Sequence, residues 1–127
     1  MNTLMLDIEQ SEKGNEHWLK VLIDGVDFKQ IIQDNLSAAF FDELKASFEK
    51  PGHYLIFTCA CGVADCAGWN KVIVEHGADE ISWTIDYKGN YNFKFLKENY
   101  KTEIGNVRWL MAVKKIKLHP EFIVDPE

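Results

Sequence analysis

The chain, 127 residues long, lacks most of what would place it in an enzyme or membrane class. No apolar run approaches the roughly 18 residues that a membrane-spanning helix needs. Its start, MNTLMLDIEQ, puts Asp7 and Glu9 where a secretory signal requires a longer apolar core, so no export is expected. Cysteine is scarce and odd in number, which argues against a disulfide framework and for the reducing cytoplasm. There is no phosphate-cradling glycine loop, no nucleophile elbow and no His-Glu-x-x-His helix. No repeat, low-complexity tract or linker interrupts the chain. Residues 1–127 therefore read as a single domain, with Pro120 and Pro126 marking an irregular tail from about residue 119.

Aromatic residues are plentiful: eight Phe, four Trp and four Tyr supply enough apolar surface to offset ordering entropy. Acidic side chains number 20 against 14 basic, a net charge of −6, which opposes binding to a phosphate backbone. The imbalance is concentrated. Residues 1–100 carry 16 acidic and 9 basic groups, a balance of −7, whereas residues 101–127 carry 4 and 5, a balance of +1. Such a front suits a cationic protein partner, and it also simply keeps a protein soluble.

Residues 3–9 and 17–24 alternate apolar with polar around a Gly14-Asn15 turn signal and predict a β-hairpin. Val26 to Ile32 fits either an edge strand or a short helical turn. From Ser37, a plausible N-cap, the period changes: Phe40, Leu44 and Phe48 recur four apart in an amphipathic helix that Pro51-Gly52 stops. His53 to Ala60 and Lys71 to Glu75 read as strands paired in a hairpin, and Glu80 to Asp86 and Tyr91 to Phe95 continue an antiparallel meander. Tyr100, Ile104, Val107 and Met111 then mark a helix, with Asn99 as its possible cap and a strand at 107–113 as the alternative. Gly105 costs that helix about 1 kcal/mol relative to alanine. Lys114, Lys115 and Lys117 close it by complementing its dipole. The expected class is α+β: an antiparallel meander of about five to six strands with one inserted and one C-terminal helix.

The segment Thr58 to Gly68, TCACGVADCAG, carries Cys59, Cys61 and Cys66. Cys59 and Cys61 lie two apart on a strand end and share a face, and Gly62 permits a turn that returns Cys66 toward them. Three thiolates and one imidazole make a zinc site of the Cys₃His type, with His76 as the fourth ligand and His53 as the second choice. The spacing lacks the paired Cys-x-x-Cys knuckles of structural zinc sites, and small thiols in a glycine-rich hairpin, where bulkier side chains would clash, are the plainer explanation of the cluster. A nucleophilic role would need a nearby cation to depress a thiol pKa, and the neighbouring charges are Asp65 and Lys71. His17, His53, His76 and His119 stand singly, without the placed partner that general base work requires. Trp18, Trp83 and Trp109 read as core, while Trp69 after the cysteine loop suits a contact anchor.

The order Thr-Cys-x-Cys-Gly-x-x-x-Cys-x-Gly at 58–68, then Ser82-Trp83, Phe93-x-Phe95 and Tyr100 opening a helix, resembles a group of small bacterial cytosolic proteins. Some of these look like immunity proteins of contact-dependent growth-inhibition and other polymorphic toxin systems. The likeness covers residues 53–110, and Trp69 departs from it where an aliphatic residue is expected. It implies a non-enzymatic, cytoplasmic, single-domain inhibitor that binds one toxin domain, often a basic nuclease, as a monomer, with no nucleic acid, membrane or cofactor of its own. On this reading Asp79, Glu80 and Asp86 of the meander pair with the Lys or Arg that the toxin uses to hold nucleic acid, blocking its active site or substrate path, and Trp69 is a contact anchor beside them. The alternative is a zinc-stabilised structural or adaptor domain.

Overall fold

The computed structural model describes residues 1–11, 16–34, 37–59 and 70–119. Polar and apolar residues alternate along β1 (Leu4–Gln10) and β2 (His17–Ile23), burying Leu4, Leu6, Leu19, Val21 and Ile23 on one face. The two pair antiparallel, with Leu4 opposite Ile23 and Gln10 opposite His17, so the expected hairpin strands are there. The undecided stretch after them is both things in turn: a two-residue β3 (Val26–Asp27) against β2, then a short α1 (Phe28–Ile32). Asp27 makes the switch by accepting the Lys29 N–H at its carboxylate, the usual work of an N-cap.

Ser37 is not a helix cap. It opens β4 (Ser37–Ala39), its hydroxyl donates to the Asp34 carbonyl at 3.0 Å, and the helix α2 begins later, at Phe41–Glu49. The single strand expected over 53–60 is likewise two: β5 (Gly52–Tyr54) and β6 (Phe57–Cys59), which join different sheets. Leu55 and Ile56 lie between them, and Glu43 of α2 accepts the Leu55 N–H at 3.0 Å, where a longer strand would have a ladder partner. Only β5 pairs with β7 (Val72–His76); β6 pairs with β4.

From β7 the chain is the expected antiparallel meander: β8 (Glu80–Asp86) pairs with β7 and with β9 (Asn90–Leu96), giving a sheet ordered β5-β7-β8-β9. The C-terminal element is a helix, α3 (Lys97–Lys114), not a strand, and Tyr100, Ile104 and Val107 are its buried residues, as their spacing predicts. Asn99 does not cap it. Leu96 occupies the flanking position, and Lys115 ends the helix at a left-handed φ of 53° with its N–H on the Met111 carbonyl. A two-residue β10 (Leu118–His119) then pairs parallel with β2, and the expected irregular tail beyond it, residues 120–127, lies outside the described residues. The α+β class with a C-terminal helix stands, built from more and shorter elements than the sequence pattern resolves.

A single core joins the sheets. Trp83, fully buried, has the rings of Phe57, Phe95 and Tyr100 around it in edge contacts or close to them, with centroids 4.9–6.1 Å away, and Phe28 stacks on Phe57 at 3.9 Å. Beside them a directed hydrogen-bond chain runs through the interior. Trp83 Nε1–H donates to the Tyr100 hydroxyl at 3.1 Å, Tyr100 to Ser47 Oγ at 2.5 Å, and Ser47 to the Leu44 carbonyl at 2.6 Å. Thus β8, α3 and α2 are held by polar atoms whose partners are all inside, as buried polar groups require.

Candidate functional site

Because strand side chains alternate, the β5-β7-β8-β9 sheet has one face in the core and one outside. Tyr54, Val72, Val74, Ile81, Trp83, Ile85 and Phe95 point inward and are buried. The other face carries His53, Ile73, Glu75, Glu80, Ser82, Thr84, Asp86, Asn92, Lys94 and Leu96, exposed or half-exposed. Ile73 on this face is 40% exposed, so no element of the described chain covers it. Register arranges the residues in rows across the strands: His53, Ile73, Thr84 and Asn92 in one, Glu75, Ser82 and Lys94 in the next. A shallow depression of about 390 Å³ lies over the second row, lined by the polar Asn2, Glu75, Ser82, Thr84, Asn92 and Lys94 together with Trp83 and Phe93.

The face is acidic. Glu75, Glu80 and Asp86 oppose one cation, Lys94, whose ammonium sits 3.8 Å from Glu80. That pair is solvent-exposed and adds little stability. Among the described residues neither Glu75 nor Asp86 has an ion-pair partner. Thr84 and Asn92 share a 3.2 Å hydrogen bond, leaving hydroxyl and amide groups turned to solvent. The arrangement offers no aligned nucleophile and base; it offers a flat, negatively charged, hydrogen-bonding surface.

Of the expected contact residues, Glu80 and Asp86 share this face but stand at opposite ends of β8, about 20 Å apart at the usual strand rise. Asp79 is exposed in the turn before β8, and its carbonyl accepts the Lys97 N–H at 2.8 Å. Trp69 lies outside the described residues. Glu75 and Lys94 were not singled out from the sequence; the β7–β8 and β8–β9 registers set them opposite Ser82 on its two sides.

Of the expected metal ligands, Cys61 and Cys66 also lie outside the described residues. Cys59 ends β6 opposite Ser37. His76 is at the end of β7 beside the start of β5, β5 runs away from it from Gly52 to Tyr54, and Cys59 belongs to a strand of a different sheet. Its Nε2 lies 2.8 Å from the Ser47 carbonyl, which only accepts, so that nitrogen carries the proton and is not free to ligate. Among the described residues no group of three or more His, Cys, Asp or Glu could hold a metal ion. His53 faces solvent opposite Ile73. No described helix is long and apolar enough to cross a membrane.

Compared with protein-family models, with curated proteins and with solved structures, the chain matches none.

Proposed function

We propose that this chain is a non-catalytic binding protein, an immunity factor that neutralises a cytotoxic protein through the outer face of the β5-β7-β8-β9 sheet. The observation that carries the reading is the uncovered face itself, with Glu75, Glu80 and Asp86 against the single Lys94. The resemblance of the 58–68 loop to immunity proteins and the −7 balance of the first hundred residues support it.

The physical logic is charge complementarity. A nuclease domain presents Lys and Arg where it holds nucleic acid, and a carboxylate surface is drawn to such a patch, speeds encounter with it and denies it to a polyanionic substrate. Ser82, Thr84 and Asn92 supply hydrogen bonds between the charges, and Ile73 and Leu96 supply apolar contacts within the polar surface.

Co-expression with the product of the adjacent reading frame tests the proposal. Cells making that product alone should stop growing, and cells making both should survive. Equal growth arrest with and without this chain, or an adjacent product that is harmless, rejects it.

A further inference from the structure

Across the second row of the sheet face, Glu75 of β7 and Lys94 of β9 both stand opposite Ser82 of β8, so their backbones are about 10 Å apart with one hydroxyl between them. The 390 Å³ depression lies between these opposite charges, and its two sides differ in kind. The β9 side offers donors: the Lys94 ammonium, and the amide of Asn92, whose Oδ1 accepts from Thr84 Oγ1 and whose Nδ2 is left to donate. The β7 side offers an acceptor, the Glu75 carboxylate, which has no ion-pair partner among the described residues. The backbone of Lys94 is clamped. Its N–H donates to Asn2 Oδ1 at 2.9 Å, its carbonyl accepts the Asn2 N–H at 2.7 Å, and Asp24 accepts from Asn2 Nδ2 at 2.7 Å. Its ammonium is far less committed, because the 3.8 Å pair with Glu80 is solvent-exposed and weak enough for a ligand carboxylate to displace.

A matching ligand carries a cation for Glu75 and an anion for Lys94 and Asn92, separated by the length of a side chain. Arginine suits the cationic end, since its planar fork makes two parallel hydrogen bonds to a carboxylate. As a free amino acid it fits poorly, because the α-ammonium would lie beside Lys94. At the carboxyl end of a chain it keeps the carboxylate and loses that ammonium. We infer that the depression binds the carboxy-terminal arginine of a protein partner, with the guanidinium on Glu75 and the α-carboxylate on Lys94 and Asn92. The inference rests on the outer face being the binding surface, as proposed above, but not on the partner being a toxin.

Short peptides read the site without the partner. Acetyl-Gly-Gly-Arg with a free carboxylate, titrated into the isotopically labelled full chain, should shift the amide resonances of Ser82, Asn92 and Lys94 with a dissociation constant of about 1–10 mM. The same peptide ending in an amide, the same peptide with citrulline for arginine, and free arginine should each bind at least about threefold more weakly. Glu75→Gln should weaken the acid-ended peptide by about three- to fivefold, with the rest of the amide spectrum reporting the fold intact. Lys94→Ala separates the inference from the simple acidity of the face. Loss of the lone cation would tighten the hold on a guanidinium bound by charge alone, whereas here it should weaken the acid-ended peptide and leave the amide-ended one no weaker. Absence of shifts at these amides, equal binding of the acid- and amide-ended peptides, or equal binding of free arginine overturns the inference. A failed growth test with these shifts intact rejects the toxin and leaves the site standing.

Discussion

Tyr100 concentrates three requirements on one hydroxyl. It accepts from Trp83, donates to Ser47 and sits fully buried. Burial pushes its pKa well above the usual value near 10, since the phenolate has no water to replace. An unfolded chain ionises this group from about pH 10, whereas the folded chain keeps it neutral, so stability falls as pH rises past 10. Urea unfolding should show Tyr100→Phe to be destabilised by about 1–3 kcal/mol at neutral pH, because the Trp83 N–H loses its acceptor, and should show a shallower alkaline decline. Equal stability, or an unchanged alkaline slope, contradicts the hydrogen-bond chain. Asp24 works in the opposite pH range. The Asn2 amide first, and then the Thr3 N–H, hold its pKa below the usual 3.8. Its contribution is complete above that value and fades as pH falls further, so Asp24→Ala should flatten the stability profile below about pH 4.

At the scale of elements, the open edge of β1 is closed by side chains of a helix more than 90 residues away. Asn99 Oδ1 accepts the Leu4 N–H at 2.7 Å, Asn99 Nδ2 donates to the Leu4 carbonyl at 2.9 Å, and Glu103 Oε1 accepts the Leu6 N–H at 2.8 Å. One helical turn separates Asn99 from Glu103, and about the same distance separates alternate residues of a strand, so α3 serves two outward amides in sequence. The edge is thereby kept from pairing with other chains. Asn99→Ala should cost about 1–3 kcal/mol and accelerate hydrogen exchange at Leu4 ahead of the β2 amides; unchanged exchange at Leu4 would contradict the role. Period alone made β1, β2, β8, β9 and α3 legible in the sequence, because each buries one face and alternates accordingly. It failed at 53–60, where an unbroken run of aromatic and branched residues carries no sign of the change of partner at Leu55 and Ile56. It failed again at Ser37 and Asn99: both residues favour caps locally, yet their partners, Cys59 and Leu4, are set by distant pairing.

Over the whole molecule, charge and polarity are sorted by surface. One sheet face collects Glu75, Glu80 and Asp86 around Lys94, while the far end of α3 carries Arg108, Lys114 and Lys115. Composition revealed the acidic excess of the first hundred residues, but the grouping of Asp79 with Glu80 and Asp86 is resolved only by the strand bounds, which keep Glu80 and Asp86 on one face and leave Asp79 in the turn. Their neighbours in space, Glu75 and Lys94, came only with the strand register. The proposed function requires that face to be where a cationic partner binds. Calorimetric titration of the product of the adjacent reading frame, the partner proposed above, against this chain tests it most directly, using wild type and the triple variant Glu75→Lys, Glu80→Lys, Asp86→Lys. Affinity should weaken about 100-fold in the variant, and the wild-type affinity should fall as salt is raised. Binding that is equally tight in both proteins and indifferent to salt would contradict the account.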